Sequence, residues 1–352
     1  MAIVAVLAYH AVVLGRAGAA SFDCAKATSD YDKLICTTPE LSAADERMVA
    51  AYDQARAKVS AEGKRLFRDG QRSWIKNVRD DCQLDQQCIG WAYDRRIKQL
   101  ADAVTTIGPY RFQAIDSFAV EKIAGIRGAD QKPVRDFEGP GLFKVVSSYP
   151  RIDLPDTPET SRWNGLVRAY IASFISQEQR DLEATQHEPA DFDMGAALKN
   201  ITEFTVECQI AYAAKDVISL SIFREFFASG AAHPDHGSVG YTVLLPSGKI
   251  LDAARLFNRR RNWNEFLAGQ VFENLAKDAR DEGWDLGAHS AADLIKDVAD
   301  NKHWTISPDG LTVFFSPYEV ANYASGFHEV TIDWQTLKPY LASPPPFPIP
   351  PR

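Results

Sequence analysis

Hydrophobic positions change their period partway along the chain. From about Thr38 to Val104 they recur every three or four residues, the repeat of helices with one buried face. Met48, Tyr52, Ala55 and Val59 form one such series. Leu66, Phe67, Trp74 and Val78 form a second, and Ile89, Tyr93, Ile97, Leu100 and Val104 a third. Pro39 suits a helix start, and Ser42 with Asp45 reads as a capping box. "TTIGPYRF" then breaks the repeat. Residues 105–141, rich in Gly, Pro and charge, read as linker plus irregular strands.

Beyond this point strands predominate. "LFKVVSSYP" predicts a strand ending in a turn. "SRWNGLVRAYIASFI" predicts an amphipathic helix burying Trp163, Leu166, Val167, Tyr170 and Phe174. Residues 201–228 predict two or three strands in succession. Hairpins turn at Ser247-Gly248 and at Pro308-Asp309-Gly310. Between them Trp263, Leu267, Val271 and Leu275 mark another helix, and "HEVTIDW" closes with a strand. The expected fold is a small disulfide-bonded all-α domain, residues 21–104, plus an α+β domain, residues 142–341. The latter has an antiparallel sheet and one or two packed helices. "SPPPFPIPPR" predicts an extended polyproline tail over 342–352.

Residues 1–20 read as a signal peptide: a run of about 13 apolar residues, shorter than the roughly 20 that span a bilayer, ends in small residues. Cleavage is expected after Ala19 or Ala20, with no Lys or Arg ahead of the run. No later stretch is apolar enough to cross a membrane. The expected location is the periplasm or the exterior, where cysteines pair. Cys24, Cys36, Cys82 and Cys88 allow three pairings. Cys24–Cys36 with Cys82–Cys88 is favoured, because both bridges close short loops; Cys208 reads as a buried small hydrophobe. The chain has 352 residues, 45% of them hydrophobic, and a net charge of −8. That acidity argues against nucleic acid or anionic lipid and suits a basic protein partner.

Chemistry is sparse. "SGAAHPDHGSVGYTV" packs His233, Asp235 and His236 among Gly and Pro. It lacks the HExxH spacing of a zinc helix and reads as a turn with no metal and no cofactor. No nucleophile elbow, Cys–His pair or phosphate loop is present, so no catalysis is expected.

Two resemblances add a partner. "FDCAKATSDYDKLICTTPELSAADERMVAAYDQA", "QRSWIKNVRDDC" and "CIGWAYDRRIKQL" resemble the LprI-like lysozyme-inhibitor domain. The features carried over are the four cysteines, Thr38-Pro39-Glu40-Leu41, Gln71, Trp74, Arg79 and Asp80, with Asp30 or Asp32 in the acidic place ahead of Cys36. "VVSSYPRI", "ISLSIFREFFASGAAHP", "PSGKILDAARLF", "SPDGLTVFFSPYEVANYASG" and "VTIDWQTL" resemble a PdaC/RsiV-like domain, the extracellular part of a lysozyme-sensing anti-sigma factor. This chain has Gly230-Ala231-Ala232 where that family more often has two glycines, and Ala321-Asn322-Tyr323 where it often has Ala-Pro-Tyr. No membrane helix, signalling part or deacetylase domain of those relatives is expected here.

Both resemblances imply a lysozyme-type muramidase as partner. They place His233, Pro317, Tyr318 and Tyr323 on the contact surface. Duller roles for the same residues are a turn-fixing hydrogen bond for His233 and sheet-covering burial for the tyrosines. Trp74 reads as core, and Arg79 with Asp80 as a local ion pair. Two other readings stay open: a glycan- or peptide-binding module of the cell envelope, and a hydrolase with an unrecognised site.

Overall fold

The computed structural model describes residues 20–123, 141–185, 199–228 and 231–350. Residues 1–19 of the proposed signal peptide, the Gly/Pro-rich stretch 124–140, residues 186–198, Ser229 and Gly230, and the last two residues therefore lie outside the described residues. Two compact units result. One holds the described residues up to Ala57 together with Val78–Asp102; the other holds Lys58–Asn77 and the described residues from Ala103 onward.

The first unit is helical. α1 (Asp30–Thr37) starts where Ser29 accepts a hydrogen bond from the Asp32 amide, satisfying a free N–H of the first turn. α2 (Pro39–Ala57) opens at the proline, as its fixed φ favours. α3 (Ala61–Cys82) contributes its last turn to this unit, and α4 (Gln86–Asp102) packs along α2. Leu41, Ala44 and Met48 are buried, as are Ile89, Tyr93 and Leu100. The bridges are Cys24–Cys36 and Cys82–Cys88, the favoured pairing. Ser42 and Asp45 do not form a cap, because α2 begins three residues earlier. Both are buried: Ser42 donates to the Ile35 carbonyl at 2.7 Å, and Asp45 accepts from Ser21 N and from the Tyr93 hydroxyl. Arg79 pairs with Asp32 at 2.5 Å, 47 residues away, and lies over the Tyr31 ring. This ion pair ties α3 to α1, a longer reach than the local pairing with Asp80 that the sequence suggested.

The second unit carries a seven-stranded sheet. Its strands are β1 (Val104–Ile107), β2 (Tyr110–Ile123), β3 (Gly141–Leu154), β4 (Ile201–Ala214), β5 (Val217–Ala228), β6 (Asp235–Leu244) and β7 (Lys249–Ile250), neighbours in chain order. All pairs are antiparallel except β3 with β4, whose crossover contains α5 (Pro158–Thr185). Trp163, Val167 and Ile171 of α5 are buried with Phe143, Phe204 and Leu220 of the sheet.

Residues 104–123 are thus regular strands, where a linker with irregular strands was expected. The signal was weak because β2 mixes polar and apolar residues on its covered side. Gln113 is fully buried and donates to the Gly63 carbonyl, while Ser73 donates to the Phe118 carbonyl. The start of α3 covers this face, where Asp153 accepts from Ser60 and pairs with Arg111 and Arg151. β3 also runs on through Tyr149-Pro150 to Leu154 where a turn was expected, held against β2 as far as Arg111.

A smaller sheet of β8 (Trp304–Ile306), β9 (Gly310–Phe315) and β10 (His328–Asp333), in the order β10-β9-β8, completes the unit. With it come α6 (Ala253–Leu256), α7 (Trp263–Glu282), α8 (Ile295–Ala299) and α9 (Trp334–Leu337). Leu267, Val271 and Leu275 of α7 bury against Leu311, Val313 and Phe315. α7 stops at Gly283, in the left-handed region at φ 79°. Gly240 lets β6 approach β8 so closely that a Cβ would overlap the Trp304 carbonyl. The proline-rich end is anchored: Phe347 is buried edge-on to Trp334, which draws the segment onto the core. The expected class, a disulfide-bonded helical part plus a mostly antiparallel α+β part, describes the molecule.

Candidate functional site

Two connections supply the site. One joins β5 to β6 and carries His233 and Pro234; the other joins β9 to β10 and carries Pro317, Tyr318, Tyr323 and Phe327. The sheet brings them together. His236 stands opposite Glu225 in the β5–β6 ladder, and Ser238 N donates to the Ser316 hydroxyl at 3.0 Å. Only the first part of the histidine run is a turn, since Asp235 already begins β6.

The His233 ring stacks on Tyr323 with centroids 3.8 Å apart. His233 Nδ1 lies 2.9 Å from the Pro234 carbonyl, which can only accept, so Nδ1–H is the donor in this contact. Facing Nε2 at 3.4 Å is the Tyr318 hydroxyl. Tyr323 donates to the same Pro234 carbonyl at 2.8 Å and lies 3.3 Å from His236 Nδ1. His236 Nε2 in turn reaches Glu225 at 2.7 Å, a charge-assisted contact when the ring is protonated. Burial, then the nearby Glu225 charge, raises the pKa of Tyr323, keeping its hydroxyl a donor.

The four expected residues are therefore neighbours, with different exposures. Tyr318 is 62% exposed, His233 is exposed and Tyr323 half-buried, so neither tyrosine is a core residue. Pro317 is buried, and it stiffens the turn beneath the surface. Tyr318 has φ 72°, a left-handed conformation that costs a bulky side chain energy. Ser316 N donates to Glu319 at 2.6 Å across this turn and holds it. Phe327, 43% exposed, stacks with His236 and approaches Phe223. Sequence reasoning missed Phe327, Phe223 and Glu225. Phenylalanine is read as core by default, and only adjacency to "YASG" pointed outward.

Among the described residues, no three His, Cys, Asp or Glu side chains gather where a metal could sit. His233 and His236 are turned to Pro234 and Glu225, not to a shared point. In the helical unit, Trp91 and Leu84 are exposed large hydrophobic side chains, at 65% and 53%.

Fold and site together define a two-part chain: a disulfide-closed helical unit, then an α+β unit whose loops present a stacked aromatic cluster. Residues 24–109 match the family described as "Lysozyme inhibitor LprI", and residues 254–335 match the family described as "Protein of unknown function (DUF3298)". Two solved structures are similar. One is a member of the DUF3298 family from Bacteroides fragilis, 16% identical, covering 68% of this chain and 96% of that one, with a TM-score of 0.42. The other is a DUF3298 family protein from Pseudomonas aeruginosa, 14% identical, covering 69% and 98%, with a TM-score of 0.43. No curated protein matches the chain. Two disulfides are consistent with an extracellular or periplasmic protein, and no described helix is long and apolar enough to cross a membrane.

Proposed function

We propose that this chain is an exported protein that binds a lysozyme-type muramidase and inhibits it without catalysis of its own. The observation that carries the reading is the match of residues 24–109 to the lysozyme-inhibitor family. The acidic chain, net −8, adds a steering force toward a basic enzyme. Lysozymes are commonly basic and work through two carboxylates in a cleft.

The contact surface we assign to the second unit is His233, Tyr318 and Tyr323, with Pro317 bracing them from below. Its support is chemical. A rigid aromatic cluster orders at little entropic cost, and the Tyr318 phenol is a donor able to reach a cleft carboxylate. The RsiV-like resemblance of this half points to the same partner. Trp91 is the candidate anchor on the helical unit, as an exposed tryptophan at the matched family segment.

Gel filtration of the full chain mixed with a c-type lysozyme tests the reading. Co-elution is expected, with affinity reduced about tenfold, roughly 1.4 kcal/mol, by Tyr318→Gly and more by Tyr318→Gly combined with Trp91→Ala. Separate elution at micromolar concentrations of both proteins would sink it.

A further inference from the structure

A groove of about 250 Å³ opens in the second unit between the start of α3, the β2–β3 pair and the first turns of α5. It is lined by Glu62, Arg65 and Leu66 from α3, Ile115, Tyr149 and Arg151 from the strands, and Ser161, Asn164, Gly165 and Arg168 from α5. None of these residues belongs to the His–Tyr cluster.

Three guanidinium groups face this groove against one carboxylate, in a chain that is acidic overall. They are not equally engaged. Arg65 is held by Glu62 at 2.7 Å and by Asp69 at 2.9 Å. Arg151 reaches Asp153 at 3.3 Å, a carboxylate whose side chain is wholly buried and shared with Arg111. Arg168 forms no ion pair with any described carboxylate. Burial raises the Tyr149 pKa and the Arg168 charge draws it back down, so that charge reaches the tyrosine at the groove wall. One face is thus an unneutralised guanidinium, the group best shaped to grip a carboxylate through two parallel hydrogen bonds.

The apolar part of the lining is Leu66, Ile115 and the ring of Tyr149. The floor has its own peculiarity. Gly165 lies inside α5, where glycine is the poorest helix former after proline. A Cβ there would meet nothing within 4 Å, so packing inside the protein does not require the glycine. What its absence of side chain does is keep the groove open down to the helix backbone. Asn164 beside it is locked by two hydrogen bonds to the Ile152 backbone, at 2.8 and 2.9 Å, which fixes the helix against β3 and makes the cleft rigid. Its volume is below the roughly 300–1,000 Å³ of drug-sized pockets, which suits one ring and its substituent.

We propose that this groove binds a sugar acid: a single pyranose ring lying against Tyr149 and Gly165, with its carboxylate on Arg168. The ring's C–H face meets the apolar wall, and Ser161 and Arg151 stand at the rim to bond hydroxyl or carbonyl oxygens. The site is separate from the proposed lysozyme contact, so either can fail without the other.

Calorimetric titration of the full chain tests it with three probes: N-acetylmuramic acid, N-acetylglucosamine, which lacks the carboxylate, and acetate, which lacks the ring. Saturable binding of the first is expected, with N-acetylglucosamine at least about tenfold weaker through loss of the charge-assisted contact and acetate at least about tenfold weaker through loss of the ring's apolar contact. Arg168→Ala should weaken the acid about tenfold toward the neutral sugar. Gly165→Leu should fold with an equal or higher thermal midpoint, because leucine is the better helix former, and should lose binding through obstruction. No saturable binding of N-acetylmuramic acid at millimolar concentration would overturn the proposal. So would equal affinity for all three probes, or unchanged binding in folded Gly165→Leu.

Discussion

Tyr318 combines two properties that rarely coincide: a strained left-handed backbone and a ring mostly in solvent. Burial gains cannot explain keeping it there, so a surface role can. Tyr318→Gly separates the two: glycine adopts φ 72° freely, and the thermal midpoint should stay level or rise while lysozyme affinity falls. A fall in both together would mean that the ring supports the fold. Cys208 makes the opposite case. Burial pushes its thiol up to about 12, so almost no thiolate exists near neutral pH. Labelling by a thiol reagent at about pH 8 should be negligible until denaturant is added; rapid reaction of the native chain would contradict this. At this scale the sequence was legible where chemistry is local. The Gly, Pro and His pattern marked the first loop, and "SPYEVANYASG" the second. Which side chains stack, and that Pro317 lies beneath Tyr318, depends on strands far apart in the chain. No local signal carries that.

Among elements, long periodic helices and β-turn hairpins were readable because their residues face one core. β1 and β2 were not, since Gln113 of β2 is fully buried under the start of α3, where its amide donates to the Gly63 carbonyl. The alternation that announces a half-buried strand was therefore blurred. The cap assigned to Ser42 and Asp45 failed for a related reason: both side chains serve tertiary contacts. The two bridges can be weighed by loop length. Replacing Cys24 and Cys36 together by serine should cost about 3 kcal/mol, and replacing Cys82 and Cys88 about 2 kcal/mol, from loop-closure entropy. Urea denaturation measures both, and a loss near zero for either would show that its bridge closes a segment already ordered without it.

β10 carries an acid-sensitive contact. His328 packs its ring on Trp284 with centroids 4.0 Å apart, and burial lowers its pKa, opposed by Glu282 and Asp278. The unfolded chain then binds that proton more readily than the folded one. Its contribution to stability is intact above the unfolded value of about 6.5 and is lost as pH falls through the folded value. His328→Phe should flatten the decline in unfolding free energy between about pH 7 and pH 5; an unchanged slope would remove His328 as its source.

For the whole molecule, composition indicated an acidic chain, and the cysteines indicated where it is stapled. The proline-rich end was read as an extended tail without its anchor, because Phe347 finds its place only once the small sheet and α9 exist. Net acidity has a kinetic consequence. Association with a basic lysozyme should slow as ionic strength rises, since steering between opposite charges is screened beyond about 8 Å at physiological salt. Stopped-flow rates independent of salt would rule out charge steering. The most direct measurement is clearance of a bacterial cell-wall suspension by c-type lysozyme, followed by turbidity, with the full chain at several-fold molar excess. Clearance should slow in step with the amount of chain added. Unimpeded lysis would contradict the inhibitor reading.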